Sequence, residues 1–190
     1  MPLSEIEEEE RALEQFYENI KFVNNRYEIR WPWRQYPPKL SNNFGLAVGR
    51  LKSLQRKMDK ESFKNYNAII ETQIEKGIIE DVPAHEIMDV KYFLPHHVIE
   101  TPEKSTQTRV VYNGSAKTSK SNSINDQIYK GCNLLVDSGK ILIRFHLRSI
   151  VVVSDLEKAF HALAINRADA NYVCFLWLWK FDELPTGIVL

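Results

Sequence analysis

The sequence predicts an α+β fold, on the strength of three observations. Two stretches with apolar residues at helical spacing follow each other closely between residues 43 and 77, which indicates a helical hairpin. After Gly77 the chain consists of short β-branched or aromatic runs separated by polar turns, which is typical of antiparallel strands. There is no regular strand–helix–strand alternation of the kind that predicts a parallel sheet.

The composition is that of a globular protein. The 190 residues are 44% hydrophobic, enough to bury a core, and equal totals of 25 basic and 25 acidic residues exclude a global field that would attract polyanions. Cys132 and Cys174 have no paired spacing, which favours reduced thiols and an intracellular protein. No signal-peptide pattern and no apolar run of about 20 residues occurs, so we expect no membrane segment.

The N-terminal part is predicted as two segments ahead of the main domain. Residues 1–24 form an acidic helical segment, in which Ser4 is the expected N-cap. Residues 25–42 form a short strand and an extended linker, because apolar and charged residues alternate before a series of prolines.

The main domain is predicted to span residues 43–190 and to begin with the helical hairpin. The first helix has a basic outer face, formed by Arg50, Lys52, Arg56 and Lys57. Asp59 is the expected cap of the second helix, and Gly77 its stop. Strands are expected in residues 78–82, 92–101, 109–115, 149–155 and 172–180, whereas residues 131–145 fit either a helix or a strand.

The tripeptide Asp137–Gly139 has the Asp-Ser-Gly sequence of aspartic proteases. The active-site loop of aspartic proteases requires a small residue after the glycine, whereas this chain has Lys140. The simpler interpretation is a turn or a helix start ahead of the apolar run "ILIRF".

Asp155 follows the apolar run "VVV" and Ser154, so a predicted strand ends at a carboxylate. Such a carboxylate either caps the next turn or is presented at a sheet edge, where it suits a hard cation such as Mg²⁺. The longer stretch "VVVSDLEKAFHALAI" resembles motif A of reverse transcriptases. The preceding "YFLPHHVIETPEKSTQTRVVYNGSAKTSKSNSINDQIYKGCNLL" and "RYEIRWPW" resemble the BEL/Pao-type LTR retrotransposon enzymes, over roughly residues 25 to 180.

This resemblance implies fingers and the start of a palm in the right-hand polymerase architecture, and it implies site residues. Asp155 would be a catalytic metal ligand, with the backbone carbonyl of Leu156 beside the second metal. Arg109 would bind the nucleotide triphosphate, with Lys104 a weaker candidate. Phe160 matches the aromatic under the nucleotide sugar, although an ordinary core aromatic is an equally good interpretation.

The resemblance also implies cofactors and partners for the full enzyme. These are Mg²⁺ or Mn²⁺, RNA/DNA template-primer, deoxynucleotides and the polyprotein's protease, ribonuclease H and integrase, in the cytoplasm or a virus-like particle. The chain has Asn113 and Cys132 where the family usually has aspartate and proline, and it contains no Tyr-x-Asp-Asp motif. We therefore expect a fragment that does not polymerise alone.

Two further interpretations stay open. The segment from Lys104 to Lys130 contains several lysines and Arg109, with Asp126 among them, and indicates either a solvated loop or a phosphate-binding surface. In the second case the chain would be a noncatalytic nucleic-acid-binding remnant; an unstable product of a decayed element is the other possibility. His96 and His97 are adjacent on a predicted strand and should face opposite sides, which disfavours a joint metal site.

Overall fold

The computed structural model describes residues 4–101, 103, 108–155, 159–182 and 187–189. The helices there are α1 Glu5–Asn19, α2 Phe44–Lys57, α3 Lys60–Glu75, α4 Ile124–Gln127, α5 Ser138–His146 and α6 Arg167–Ala170. The strands are β1 Lys21–Val23, β2 Arg26–Ile29, β3 His96–Glu100, β4 Thr108–Tyr112, β5 Leu163–Ile165, β6 Phe175–Trp177 and β7 Gly187–Val189. The predicted mixture of helices and small antiparallel sheets is confirmed.

The chain divides into two compact units. Unit 1 comprises Met1–Pro32 and Tyr129–Ala164, and unit 2 comprises Trp33–Ile128 and Ile165–Leu190. The predicted segments 1–24, 25–42 and 43–190 stay a prediction about domain organisation. Within the described residues, no helix is both long and apolar enough to cross a membrane.

Unit 1 begins with the predicted acidic helix. The Ser4 hydroxyl accepts a hydrogen bond from the Glu7 N–H at 3.4 Å, and the Glu7 carboxylate accepts one from the Ser4 N–H at 2.7 Å, which completes a capping box. Strands β1 and β2 form a hairpin through Asn24 and Asn25, whose φ angles of 51° and 62° suit a tight turn. The sheet order is β1-β2-β5.

The second half of unit 1 differs from the prediction. Only the second half of the ambiguous run 131–145 is helical: α5 starts at Ser138, and Asp137 is its N-cap, whose side chain accepts a hydrogen bond from the Lys140 N–H at 2.9 Å. The interpretation of Asp137 as a helix start is therefore confirmed. The strand predicted for residues 149–155 is wrong, because these residues adopt no regular secondary structure and are exposed.

Unit 2 is built on the predicted helical hairpin. The Asp59 side chain caps α3 by accepting a hydrogen bond from the Ser62 N–H at 2.8 Å, and Gly77 follows the end of α3 with a φ of 60°. The core combines the inner faces of both helices with the strands that follow. Its members include Ala47, Leu51, Phe63, Tyr66, Ile70, Phe93, Phe175, Leu176, Trp177, Leu178 and Val189.

The strands of unit 2 form two separate two-stranded sheets. Strands β3 and β4 pair antiparallel from His96 opposite Tyr112 to Glu100 opposite Thr108, and β6 pairs with β7. The strand predicted for residues 78–82 is wrong, because only an isolated bridge between Asp81 and Val189 forms there. The predicted strand at 172–180 shortens to β6.

Candidate functional site

The β3–β4 hairpin has one face packed on the core and one face in solvent. Side chains alternate between faces along each strand, so His96 and Val98 share the inner face with Val110 and Tyr112. Val98 and Val110 pack against the core cluster, and the His96 ring contacts the Tyr112 ring at a centroid distance of 6.1 Å. The core thus supports this hairpin from one side.

His96 is the anchor of the inner face. Its Nε2 lies 2.8 Å from the Leu176 carbonyl oxygen, and its Nδ1 lies 2.5 Å from the Tyr66 hydroxyl. A carbonyl only accepts, so Nε2–H donates to Leu176 and Nδ1 accepts the Tyr66 proton. Burial lowers the pKa of His96 to about 4, and it raises the pKa of Tyr66 far above its usual value. His96 is therefore a neutral link between β3, α3 and β6.

His97 is exposed while His96 is 5% exposed, so the prediction that the two rings face opposite sides is confirmed. A joint metal site of these two side chains is excluded by this geometry. Among the described residues, no group of three or more histidine, cysteine or acidic side chains has the geometry to hold a metal.

Arg109 lies on the outer face of the hairpin. It is exposed and stands opposite Ile99 in the antiparallel register, with His97 on the same face. A strand whose other face is packed on a core gives a charged side chain a fixed base while its guanidinium reaches solvent. The position suits a planar donor that binds an oxyanion from solution. Lys104 lies outside the described residues.

The predicted basic segment is partly neutralised where it is described. The Lys117 ammonium lies 2.6 Å from the Asp126 carboxylate, and hydrogen bonds from Lys117 and Ser123 lower the pKa of Asp126 to about 2. Lys130 lies 3.5 Å from the Glu5 carboxylate. Lys120 is exposed. These ion pairs weaken the hypothesis that this segment is the main phosphate-binding surface.

Asp155 has a different environment from the one predicted. It is exposed in an irregular segment, and the preceding Val152 and Val153 are 83% and 80% exposed, so no buried strand holds its carboxylate. Leu156 lies outside the described residues. Phe160 is 88% exposed in the short 3₁₀ helix Ala159–Ala162, so its interpretation as a core aromatic is wrong. Both Asp155 and Phe160 belong to unit 1, whereas Arg109 belongs to unit 2.

Sequence reasoning missed a buried polar cluster that fixes the start of α2. The Asn43 side-chain amide donates to the Tyr92 hydroxyl at 3.1 Å and to the Phe93 carbonyl at 3.2 Å, and Tyr92 donates to the Ala116 carbonyl at 2.7 Å. Asn43 has a φ of 61°, which asparagine tolerates better than most residues. The sequence signal for this role was the position of Asn43 directly before the apolar helical pattern of α2. The cluster orients α2, whose exposed face is basic.

Comparison with protein-family models and with curated proteins gave no match to this chain. The function is therefore inferred from the residue pattern and from the structure of each unit.

Proposed function

We propose that the chain is a fragment of an RNA-directed DNA polymerase of the BEL/Pao retrotransposon type. The observation that carries this proposal furthest is the position of Arg109, exposed on the outer face of a hairpin that the core supports from the other side. The resemblance assigns this arginine to the nucleotide triphosphate, and an exposed guanidinium on a strand packed against the core suits that task. The motif around Asp155 supports the same family.

The proposal assigns a separate task to each site residue. Arg109 would donate its planar fork of N–H groups to triphosphate oxygens, and Lys104 would add a second cation. The ring of Phe160 would pack against the sugar and leave no room for a 2′-hydroxyl, which favours deoxynucleotides. Asp155 would supply one carboxylate and Leu156 one backbone carbonyl to Mg²⁺ or Mn²⁺.

The described donor residues do not fit a two-metal centre by themselves. Asp155 is a single carboxylate outside any strand, and no cluster of three ligating side chains exists in the part of the chain that the structure describes. Nucleotidyl transfer needs several oxygens to position its metal ions. We therefore assign nucleotide binding to this fragment and catalysis to the full enzyme. The full enzyme would act on template-primer in the cytoplasm or in a virus-like particle. Its partners there would be the protease, ribonuclease H and integrase.

Nucleotide binding tests the proposal. We expect Arg109→Gln to weaken deoxythymidine triphosphate binding by about tenfold or more in isothermal titration calorimetry, since hydrogen bonds to charged groups contribute about 1.5–3 kcal/mol. Arg148→Gln is the matched control, because Arg148 is an exposed arginine of unit 1 and the charge change is the same. Equal affinity for wild type and both variants would contradict the proposal.

Primer extension tests the assignment of catalysis to the full enzyme. The 190-residue chain should give no extension of an RNA-templated DNA primer with Mg²⁺. Mg²⁺-dependent synthesis that Asp155→Ala abolishes would show instead that this chain carries a complete centre.

A further inference from the structure

Helix α2 presents a concentrated positive charge that the proposed nucleotide site does not use. Its 14 residues, "FGLAVGRLKSLQRK", include four cations and no acidic residue. All four cations, Arg50, Lys52, Arg56 and Lys57, are exposed. Unlike Lys117, none of them has an ion pair or side-chain hydrogen bond with another described residue.

The four cations lie along two edges of one solvent-facing surface. With about 100° between successive residues, Lys52 and Arg56 fall on one edge, roughly 6 Å apart along the axis. Arg50 and Lys57 fall on the other edge, roughly 10 Å apart. The opposite side of α2 is occupied, because Ala47 and Leu51 are buried in the core.

The strip between the two charged edges carries Gly49 and Ser53, one turn apart, and the half-buried Leu46 at its N-terminal end. A Cβ added at Gly49 would meet no atom within 4 Å, so packing inside the chain does not require this glycine. A glycine in a helix interior is unfavourable, yet it leaves room for a partner to approach the backbone.

Among the described residues, cations outnumber the acidic groups that lie beside α2 in sequence or next to a residue in contact with it. Asp59 is engaged in capping α3 through the Ser62 N–H, and Glu61 follows in the first turn of α3. Asp182 follows Phe181, whose carbonyl accepts a hydrogen bond from Gln55 of α2. Lys60 and Lys64 add further exposed cations at the start of α3.

We propose that the exposed face of α2, formed by Arg50, Lys52, Arg56 and Lys57 around Gly49, binds the phosphate backbone of a nucleic-acid strand. Two rows of cations on either side of Gly49 and Ser53 match a polyanion that lies along the helix. A lipid surface fits less well, because membrane-surface helices insert a free apolar face and the apolar face of α2 is buried. This inference rests on the proposed function for its choice of nucleic acid as the polyanion.

Fluorescence anisotropy with a labelled 20-nucleotide single-stranded DNA tests the inference on the full chain. The variant with Arg50, Lys52, Arg56 and Lys57 all replaced by glutamine should bind at least tenfold more weakly at 100 mM salt. The slope of log Kd against log salt should fall by about three, since each cation on a single strand contributes about 0.7. A second variant, Gly49→Gln, should bind severalfold more weakly without a lower melting temperature.

The matched control replaces Lys91, Lys117, Lys120 and Lys130 by glutamine, which removes the same charge. It should keep most of the affinity. An equal or larger loss in the control overturns the inference, as does unchanged binding in the α2 variant or in Gly49→Gln. A wild-type chain that binds no DNA at 50 mM salt also overturns the inference, and each of these results leaves the nucleotide-binding proposal standing, because triphosphate binding through Arg109 is measured separately. Binding of anionic phospholipid vesicles in place of DNA would also overturn the inference.

Discussion

Acidification should destabilise unit 2 through His96. The ring is 5% exposed in the core and is held neutral between Tyr66 and the Leu176 carbonyl. Protonation would place a second N–H where Nδ1 now accepts the Tyr66 proton, and it would put a charge among aromatic side chains. The folded form therefore resists a proton that the unfolded chain accepts readily.

The size of this effect follows from the two pKa values. Burial lowers the pKa of His96 from 6.5 to about 4, so the unfolded chain binds more protons than the folded chain between these pH values. The free energy of unfolding should be fully retained above pH 6.5, fall as the pH drops, and reach its full loss below about pH 4. The loss should be roughly 3 kcal/mol, at 1.36 kcal/mol for each pH unit between the two values.

Urea unfolding between pH 7.5 and pH 4, followed by tryptophan fluorescence, measures this loss. Trp177 lies in the core with its ring 5.7 Å from that of His96, so its emission reports on the same region. His96→Phe should unfold more easily at pH 7.5 but should lose little further stability on acidification. His97→Gln, which alters the exposed neighbour, should keep the wild-type pH dependence. An equal loss in wild type and His96→Phe would show that protonation of His96 does not cause the acid destabilisation.

Two further predictions concern the helical hairpin. Gly49→Ala should raise the free energy of unfolding by about 0.5–1 kcal/mol in urea titrations, because the added Cβ contacts no other atom and alanine has a higher helix propensity than glycine. A destabilised variant would contradict the open surface at this position. Asp59→Ala should lower it by about 1 kcal/mol, because the Ser62 N–H loses its cap, while Asp59→Asn should retain most of the stability. Thermal melting of both Asp59 variants provides the comparison, and equal melting temperatures for wild type and Asp59→Ala would show that this cap does not stabilise α3.

Local signals predicted the long helices α1, α2 and α3, whereas the short helices α4 and α6 were not predicted. Ser4 and Asp59 cap α1 and α3, and Asp137 caps α5, because capping depends on residues within one turn of the chain. The apolar stripe of α2 likewise specified which of its faces is buried, so its basic outer face was predictable from spacing alone.

The strands were harder to predict because a strand needs a partner. Val151 to Val153 have high β propensity, yet no described strand pairs with them, and they stay irregular and exposed. The run at 78–82 contacts β7 only through the single bridge between Asp81 and Val189, which does not extend into a strand. Long-range contacts such as the hydrogen bond from the Trp33 indole to the buried Asp169 carboxylate have no local signal, since 136 positions separate the two residues.

For the candidate site residues too, some environments could be predicted from the local sequence and others could not. The resemblance identified Arg109 as a candidate site residue. Its position on the outer face of the hairpin follows from the register that places it opposite Ile99. The same pairing places His96 inward and His97 outward, as strand alternation predicts. The environment of Asp155 was not predictable, because the prediction assumed a buried strand that does not form.

Whether this chain binds nucleotide at Arg109 is best measured by amide chemical-shift mapping with deoxythymidine triphosphate. We expect saturable shifts concentrated on the outer face of the β3–β4 hairpin, at His97, Ile99, Arg109 and Val111, which disappear in Arg109→Gln and persist in Arg148→Gln. Shifts confined to other parts of the chain, or no shifts at millimolar nucleotide, would contradict this expectation.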